Sequence, residues 1–247
     1  MSDVRHWDAL TREEIAALAP DALLVVPVGS TEQHGPHLAT GTDAFLVTEV
    51  ALRAAAAAAR PATILVAPTL AYGGSDHHLP FGGTLSLRIS TFQLVLADLL
   101  ASAARAGCRR VFVLNGHGGN AAACAIAVSE ASREHGLVAA TALFSELVDP
   151  AVLDAPPRGH AGDFETSLVL ALDPDRARPD RAVPSPGGAA RTRLRGLVVG
   201  EPGRWAELHG FTDRPDEASA ERGERALAAC VAAVAAAFEA VASLDAR

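Results

Sequence analysis

Lysine is absent from the 247 residues, so all 21 basic side chains are arginine. Schiff-base chemistry and the phosphate-loop lysine of nucleoside triphosphatases are therefore excluded. Aromatic residues make up only 4%, with one tyrosine and two tryptophans, and the net charge is −8. Neither a platform for stacking bases nor a basic surface for following phosphates is present, so nucleic acid is not an expected partner. The three cysteines, Cys108, Cys124 and Cys230, are odd in number, widely spaced and set in or beside apolar runs. They read as buried thiols in a reducing compartment. The opening MSDVRHWDAL has neither a basic nor an apolar leader region, and a cytoplasmic location is expected. The late apolar tract Ala226 to Val241 is short, alanine-rich and interrupted by Glu239, which suits a helix covering a domain and not a membrane span.

With 49% hydrophobic and 20% charged residues, the chain can bury one large core, and residues 1–247 are read as a single domain. Four continuous aliphatic runs, Ala22 to Val28, Thr63 to Ala67, Arg110 to Leu114 and Leu137 to Phe144, read as strands buried on both faces. Thr84 to Leu87 is a candidate further strand. Helices are expected at Thr11 to Ala19 behind a capping box of Thr11 and Glu14, and at Ala44 to Ala59. Others follow at Thr91 to Ala106 after Ser90 as cap, at Ala121 to His135 after Asn120 as cap, and at Ala218 to Val241. Repeated strand and helix units predict an α/β fold, a three-layer αβα sandwich around a mostly parallel sheet. The proline-rich stretch after Leu172 is read as a long irregular excursion without a second core.

In such a sheet, ligands bind where loops leave the carboxyl ends of the strands. The loop GSTEQHGPHLATGTD holds Glu32, His34, His37 and Asp43, the usual nitrogen and oxygen ligands of metal ions. A second loop holds Tyr72, Ser75, Asp76, His77 and His78, and a third, NGHGGN, holds Asn115, His117 and Asn120. The fourth leads through Glu146 to His160, Asp163 and Glu165 in HAGDFETS. Glu32 and His34, two apart in an extended segment, point to the same side. Each residue also has a plainer reading: NGHGGN could cradle a phosphate, and Glu165 or Asp163 could complement a helix dipole. Asp76, His77 and His78 stand between site and surface.

The motifs GSTEQHGPHLATGTD, NGHGGN and HAGDFETS, in that order, resemble those of the creatininase family of metal-dependent amidohydrolases. The resemblance implies an αβα sandwich, a homo-oligomer, often a hexamer, and two divalent ions per chain. It makes Glu32, His34, Asp43, His117 and Glu165 the metal ligands, with Asp43 bridging. His160 falls where the family places a residue that contacts substrate and assists proton transfer, and Glu165 is counted with it as catalytic. Creatininase carries a glutamate within its counterpart of NGHGGN, where this chain has Gly119; Glu165 is expected to supply that carboxylate. The segment Ala155 to His160, APPRGH, lacks the tryptophans that creatininase has near its catalytic histidine, so no aromatic lid is expected.

A mixed imidazole and carboxylate set suits zinc, manganese or iron, and two such ions can activate a hydroxide for attack on an amide carbonyl. The expected activity is hydrolysis of a C–N bond in a small or cyclic amide. His160 would act as acid for the leaving amine, and Ser75, Gly118, Gly119 and His160 would orient substrate. Alternatives are a creatininase-like peptidase of the mycofactocin maturation kind, a non-catalytic metal- or nucleotide-binding module, and a two-metal phosphoesterase. His37 is expected to support a metal ligand from behind or to be structural.

Overall fold

The computed structural model describes residues 4–153, 159–187, 199, 201 and 203–246. In chain order the elements are β1 (Arg5–His6), α1 (Arg12–Leu18), β2 (Leu23–Val28), α2 (Thr42–Ala57), β3 (Ile64–Val66) and α3 (Ile89–Arg105). They continue with β4 (Arg110–Asn115), α4 (Ala121–His135), β5 (Val138–Leu143), α5 (Asp163–Leu172), α6 (Arg204–Glu207) and α7 (Ala220–Ala242). The strands form one sheet in the order β1-β3-β2-β4-β5, and every pairing is parallel.

Side chains alternate across the sheet, as the pleat requires. Leu23 and Val25 of β2 join Phe112, Val50, Leu168 and Phe238 in a core with α2, α5 and α7, whereas Leu24, Val26 and Val28 join Val113, Phe92, Leu96 and Cys124 under α3 and α4. The result is the three-layer sandwich. From β2 the chain crosses to β3 on one side and then to β4 on the other, so the loops after β2 and β4 diverge and leave a crevice at their carboxyl ends.

All four expected strands and all five expected helices form, with ends shifted by up to two residues. The capping box of Thr11 and Glu14 is complete. All three cysteines are buried thiols. By length and composition α7 could cross a membrane, but Cys230, Val234 and Phe238 are fully buried where it packs on α5 and α2.

Several expectations are corrected. β1 was not anticipated, because two residues carry no periodicity. Thr84 to Leu87 is not a strand; its backbone makes separate bonds from Leu85 to Thr31 (2.9 Å) and from Leu87 to Gly73 (2.9 Å), which tie two loops together without a ladder. β5 is only half-buried, being the sheet edge. Ser90 lies inside the first turn of α3 and does not cap it, and Asn120 makes no capping bond to α4. The excursion after Leu172 forms no second core of its own among the described residues, as expected, and its Ala177 and Phe211 join the main core with α2 and α7.

Candidate metal centre

Three strand-end loops and the turn before α5 meet at one edge of the sheet, where Glu32, His34, Asp43, His117 and His160 are buried. Glu165 is partly buried beside them. Asp43 lies in the first turn of α2, where the helix dipole favours a carboxylate. Its Oδ1 is 3.2 Å from His34 Nε2 and its Oδ2 is 3.1 Å from His117 Nδ1, so one carboxylate faces two imidazoles. Glu165 Oε2 is 3.9 Å from His34 Nε2, and Glu32 Oε1 is 3.2 Å from His117 Nδ1.

Hydrogen bonds on the far side of each ring assign its tautomer. His34 Nδ1 donates to the Glu32 carbonyl (3.0 Å), leaving Nε2 as a lone pair toward Asp43. His117 Nε2 donates to the Gly74 carbonyl (3.1 Å), leaving Nδ1 toward Glu32 and Asp43. His160 Nε2 donates to the Gln33 carbonyl (2.8 Å), leaving Nδ1 3.3 Å from Glu32 Oε1. Imidazole lone pairs thus converge on carboxylate oxygens. Both carboxylate oxygens of Glu32 and Oδ2 of Asp43 are buried without a hydrogen bond. Such an arrangement is repulsive unless a cation or proton lies between the groups, and the donor set matches divalent metal ions.

The electrostatics agree. Burial opposes charging of His34 and His117, yet Asp43 and Glu32 overcome it, with Glu165 adding to the pull on His34. The result is His34 raised to about 9 and His117 raised well above its ordinary value. Burial raises Asp43, but His34 and His117 hold it below the usual carboxylate range. Glu165 is pushed up to about 7, chiefly by burial. His160 is held well below its ordinary value by burial and by the neighbouring His34 and His78, so it is neutral.

Distant loops are stitched together by amides. Asn120 Oδ1 accepts from Gly74 N (2.9 Å) and its Nδ2 donates to the Gly29 carbonyl (3.0 Å), which joins the loops after β2, β3 and β4. Gln33 is the second such residue. Its Oε1 accepts from Gly35 N (2.9 Å), so its Nε2 must donate, to the Gly210 carbonyl (2.6 Å) and to His78 Nδ1 (2.7 Å). His78 then carries its proton on Nε2, 3.6 Å from Glu32 Oε1, and serves to orient that carboxylate. Gly210, with φ +81°, lets the excursion approach this amide closely. Thr212 completes the attachment, its hydroxyl accepting from His160 N (2.8 Å).

Ser75 is fully buried behind His117, with its hydroxyl within 3.2 Å of His117 Nε2, where it positions that ring. Gly118 and Gly119 are exposed at the start of α4, and a Cβ on Gly119 would collide with the His117 ring and the Gly74 carbonyl. His37 donates from Nε2 to the Ala161 carbonyl (2.9 Å) while Glu165 accepts from Ala161 N (2.6 Å). Together they hold Ala161 at φ +50°, an uncommon conformation for a residue with a side chain. His37 is thus structural. Asp163 pairs with Arg222 at 2.9 Å, Asp76 accepts from Ser86, and Tyr72 and Glu146 are exposed.

The expected lack of an aromatic lid is overturned. Residues 154–158 of the APPRGH segment lie outside the described residues, but Trp205 arrives from α6. Its ring is 4.6 Å from that of His78, 5.4 Å from His77 and 5.5 Å from His160. Neither Trp205 nor Gln33 stood out in sequence. Gln33 had one usable signal, its place between two ligand-type residues; Trp205 had none, since no local pattern links α6 to the strand-end loops.

Comparison with known proteins gives a consistent result. The family model Creatininase, described as creatinine amidohydrolase, matches residues 8–238. The chain is 36% identical over 223 residues to a mycofactocin precursor peptide peptidase of Mycolicibacterium smegmatis, covering 90% of this chain and 85% of that protein. It is 34% identical over 244 residues to a creatinine amidohydrolase of Pseudomonas putida, covering 90% of each. Among solved structures, a mutant creatininase of Zn-Zn type superposes with TM-score 0.81 at 30% identity, covering 97% of this chain and 98% of that one. The Mn form of a creatininase superposes with TM-score 0.81 at 31% identity, covering 96% of this chain and 98% of that one.

Proposed function

The chain belongs to the creatininase family, and from that membership we propose that this hydrolase is a metal-dependent amidohydrolase cleaving the C–N bond of a small or cyclic amide. The observation that carries the reading is the convergence of imidazole lone pairs on buried carboxylate oxygens that have no hydrogen bond. Glu32, Asp43 and His117 would hold one divalent ion and His34, Asp43 and Glu165 a second, with Asp43 shared. Zinc, manganese and iron all suit these ligands. Such ions supply Lewis acidity and lower the pKa of water.

The chain's own groups do the rest. Neutral His160 presents Nδ1 to the site, accepts a proton there from the attacking water and returns it to the departing nitrogen. It therefore begins the reaction as a base and acts as an acid only in the second step. Its Nε2–H stays on the Gln33 carbonyl, which fixes the ring. The exposed amides of Gly118 and Gly119 orient the substrate, and Trp205 walls the site on the side of the excursion. A homo-oligomer remains part of this reading.

A second reading, trimming of a peptide end, is favoured by one observation. An open groove of about 400 Å³ runs beside Gln33, lined also by Gly35, Pro36, Phe81, Gly83 and His209, and it could accept an extended chain. Metal content followed by assay of the same preparation against lactams, formamides, guanidino compounds and short peptides tests both readings. Two ions per chain with turnover abolished by chelation are expected. Absence of bound metal together with chelator-insensitive turnover overturns the metal-dependent reading, and turnover confined to peptides selects the second.

A further inference from the structure

The two ion positions have unequal surroundings, and the difference lies in His77, which no ligand set above includes. His77 belongs to the 3₁₀ turn Asp76–Phe81 of the second loop. Donor atoms of Glu32, His77 and His117 lie within 4.8 Å of one another, close enough for all three to bind one cation. Its ring is held by contact: 4.2 Å from His78, 5.4 Å from Trp205, and nearly parallel to His117 at 5.9 Å and 7°. Among the described residues no hydrogen bond occupies either of its nitrogens, whereas the other imidazoles at the centre each have one. The neighbouring Glu32 offers two carboxylate oxygens, both buried and without a hydrogen bond.

We propose that His77 is a fourth protein ligand of the ion held by Glu32, Asp43 and His117. This rests on the metal-dependent reading above and extends it. With His77 the residues around that ion would offer two imidazole and two carboxylate ligands, the number typical of a structural site, whereas His34, Asp43 and Glu165 would offer the other ion three and leave a position for substrate. The centre is thus divided into a tightly held ion and an exchangeable one. The ring contact with Trp205 also links the tight ion to the excursion.

The test uses the full chain loaded with cobalt(II) and titrated with a chelator, with metal per chain and the visible spectrum as readouts. Wild type should release one ion readily and retain a second, whose spectrum shows the intense bands of tetrahedral cobalt. His77→Ala should weaken the retained ion by at least about tenfold and lose those bands, while far-ultraviolet circular dichroism is unchanged. His77→Glu, which returns an oxygen donor, should recover much of the affinity and guards against a folding defect in the alanine variant. If wild type holds two ions and His77→Ala holds both with the same affinities and spectrum, the assignment of His77 is wrong and the metal centre stands. If wild type binds no cobalt, the metal-dependent reading itself falls and this assignment with it.

Discussion

Phe238, in the layer of α7, and Glu32, at the strand ends, are each without solvent exposure, and together they separate two kinds of interior. Phe238 belongs to a cluster of buried apolar side chains, with Phe112 edge-on at 5.2 Å, and removal from water is itself the stabilising event. Around Glu32 stand His78, His117 and His160, and burial is costly unless something charged completes the group. The first region is stable by composition. The second persists because the amides of Gln33 and Asn120 hold its loops on the rigid ends of β2 and β4. The sheet thus serves as the scaffold against which an unfavourable polar cluster is kept in place.

Substitutions should separate the two regions. The largest effect is expected from Asp43→Ala, which should remove metal and lower activity by at least about 100-fold, with the apolar core still folded by circular dichroism. A fully metallated, active variant would defeat the bridging role. Phe238→Ala should do the reverse, costing about 3 to 5 kcal/mol in denaturant unfolding while leaving metal per folded chain unchanged. Loss of metal in that variant would show that the two regions are not separable. Gln33→Leu should release His78 and the Gly210 attachment together, lowering kcat by about 10- to 100-fold; an unchanged kcat would remove Gln33 from the supporting framework.

A smaller effect is expected from pH on the chelated protein. His34 is raised to about 9, so its contribution to stability is complete below its unfolded value near 6.5 and is lost as pH rises through 9. Glu165, raised to about 7, acts in the same direction, favouring the fold below about 4.5 and losing that contribution as pH rises through 7. The lowered His37, His77, His78 and His160 act in the opposite direction below about pH 7, so the Tm of chelated protein should fall from about pH 8 toward pH 10, and a flat profile there would contradict the polar cluster. Metal-loaded protein should show little of this slope, because an ion replaces the proton. The smallest change is Ser219→Ala, removing the hydroxyl that caps α7 through Arg222 N (3.2 Å), at about 1 kcal/mol and with no effect on metal or turnover.

The β and α pattern of the first 143 residues was legible because buried parallel strands and amphipathic helices announce themselves within a few residues. β1 is too short to do so, and Asn120, which does stand at the cap position of α4, directs its side chain to Gly74 and Gly29 instead of to the helix, a distant pairing that no local pattern announces. The ligand-type residues Glu32, His34, Asp43, His117 and Glu165 were legible for another reason: polar groups crowding short strand-end loops have no core to serve. Ser75 was placed in the right loop, but the contact of its hydroxyl with His117 was not legible, since sequence does not tell which way a hydroxyl faces.

The sequence by itself determined the order of elements, the loops that carry chemistry and the kind of cation they suit, because each follows from interactions within a few residues or from side-chain chemistry alone. Only the tertiary structure decided which nitrogen of each histidine is free, that Gln33 clamps His78 and Gly210, and that Trp205 closes on His78 and His160. Those contacts join residues far apart in the chain. Their existence depends on how the excursion folds back over the sheet edge, which no local periodicity encodes.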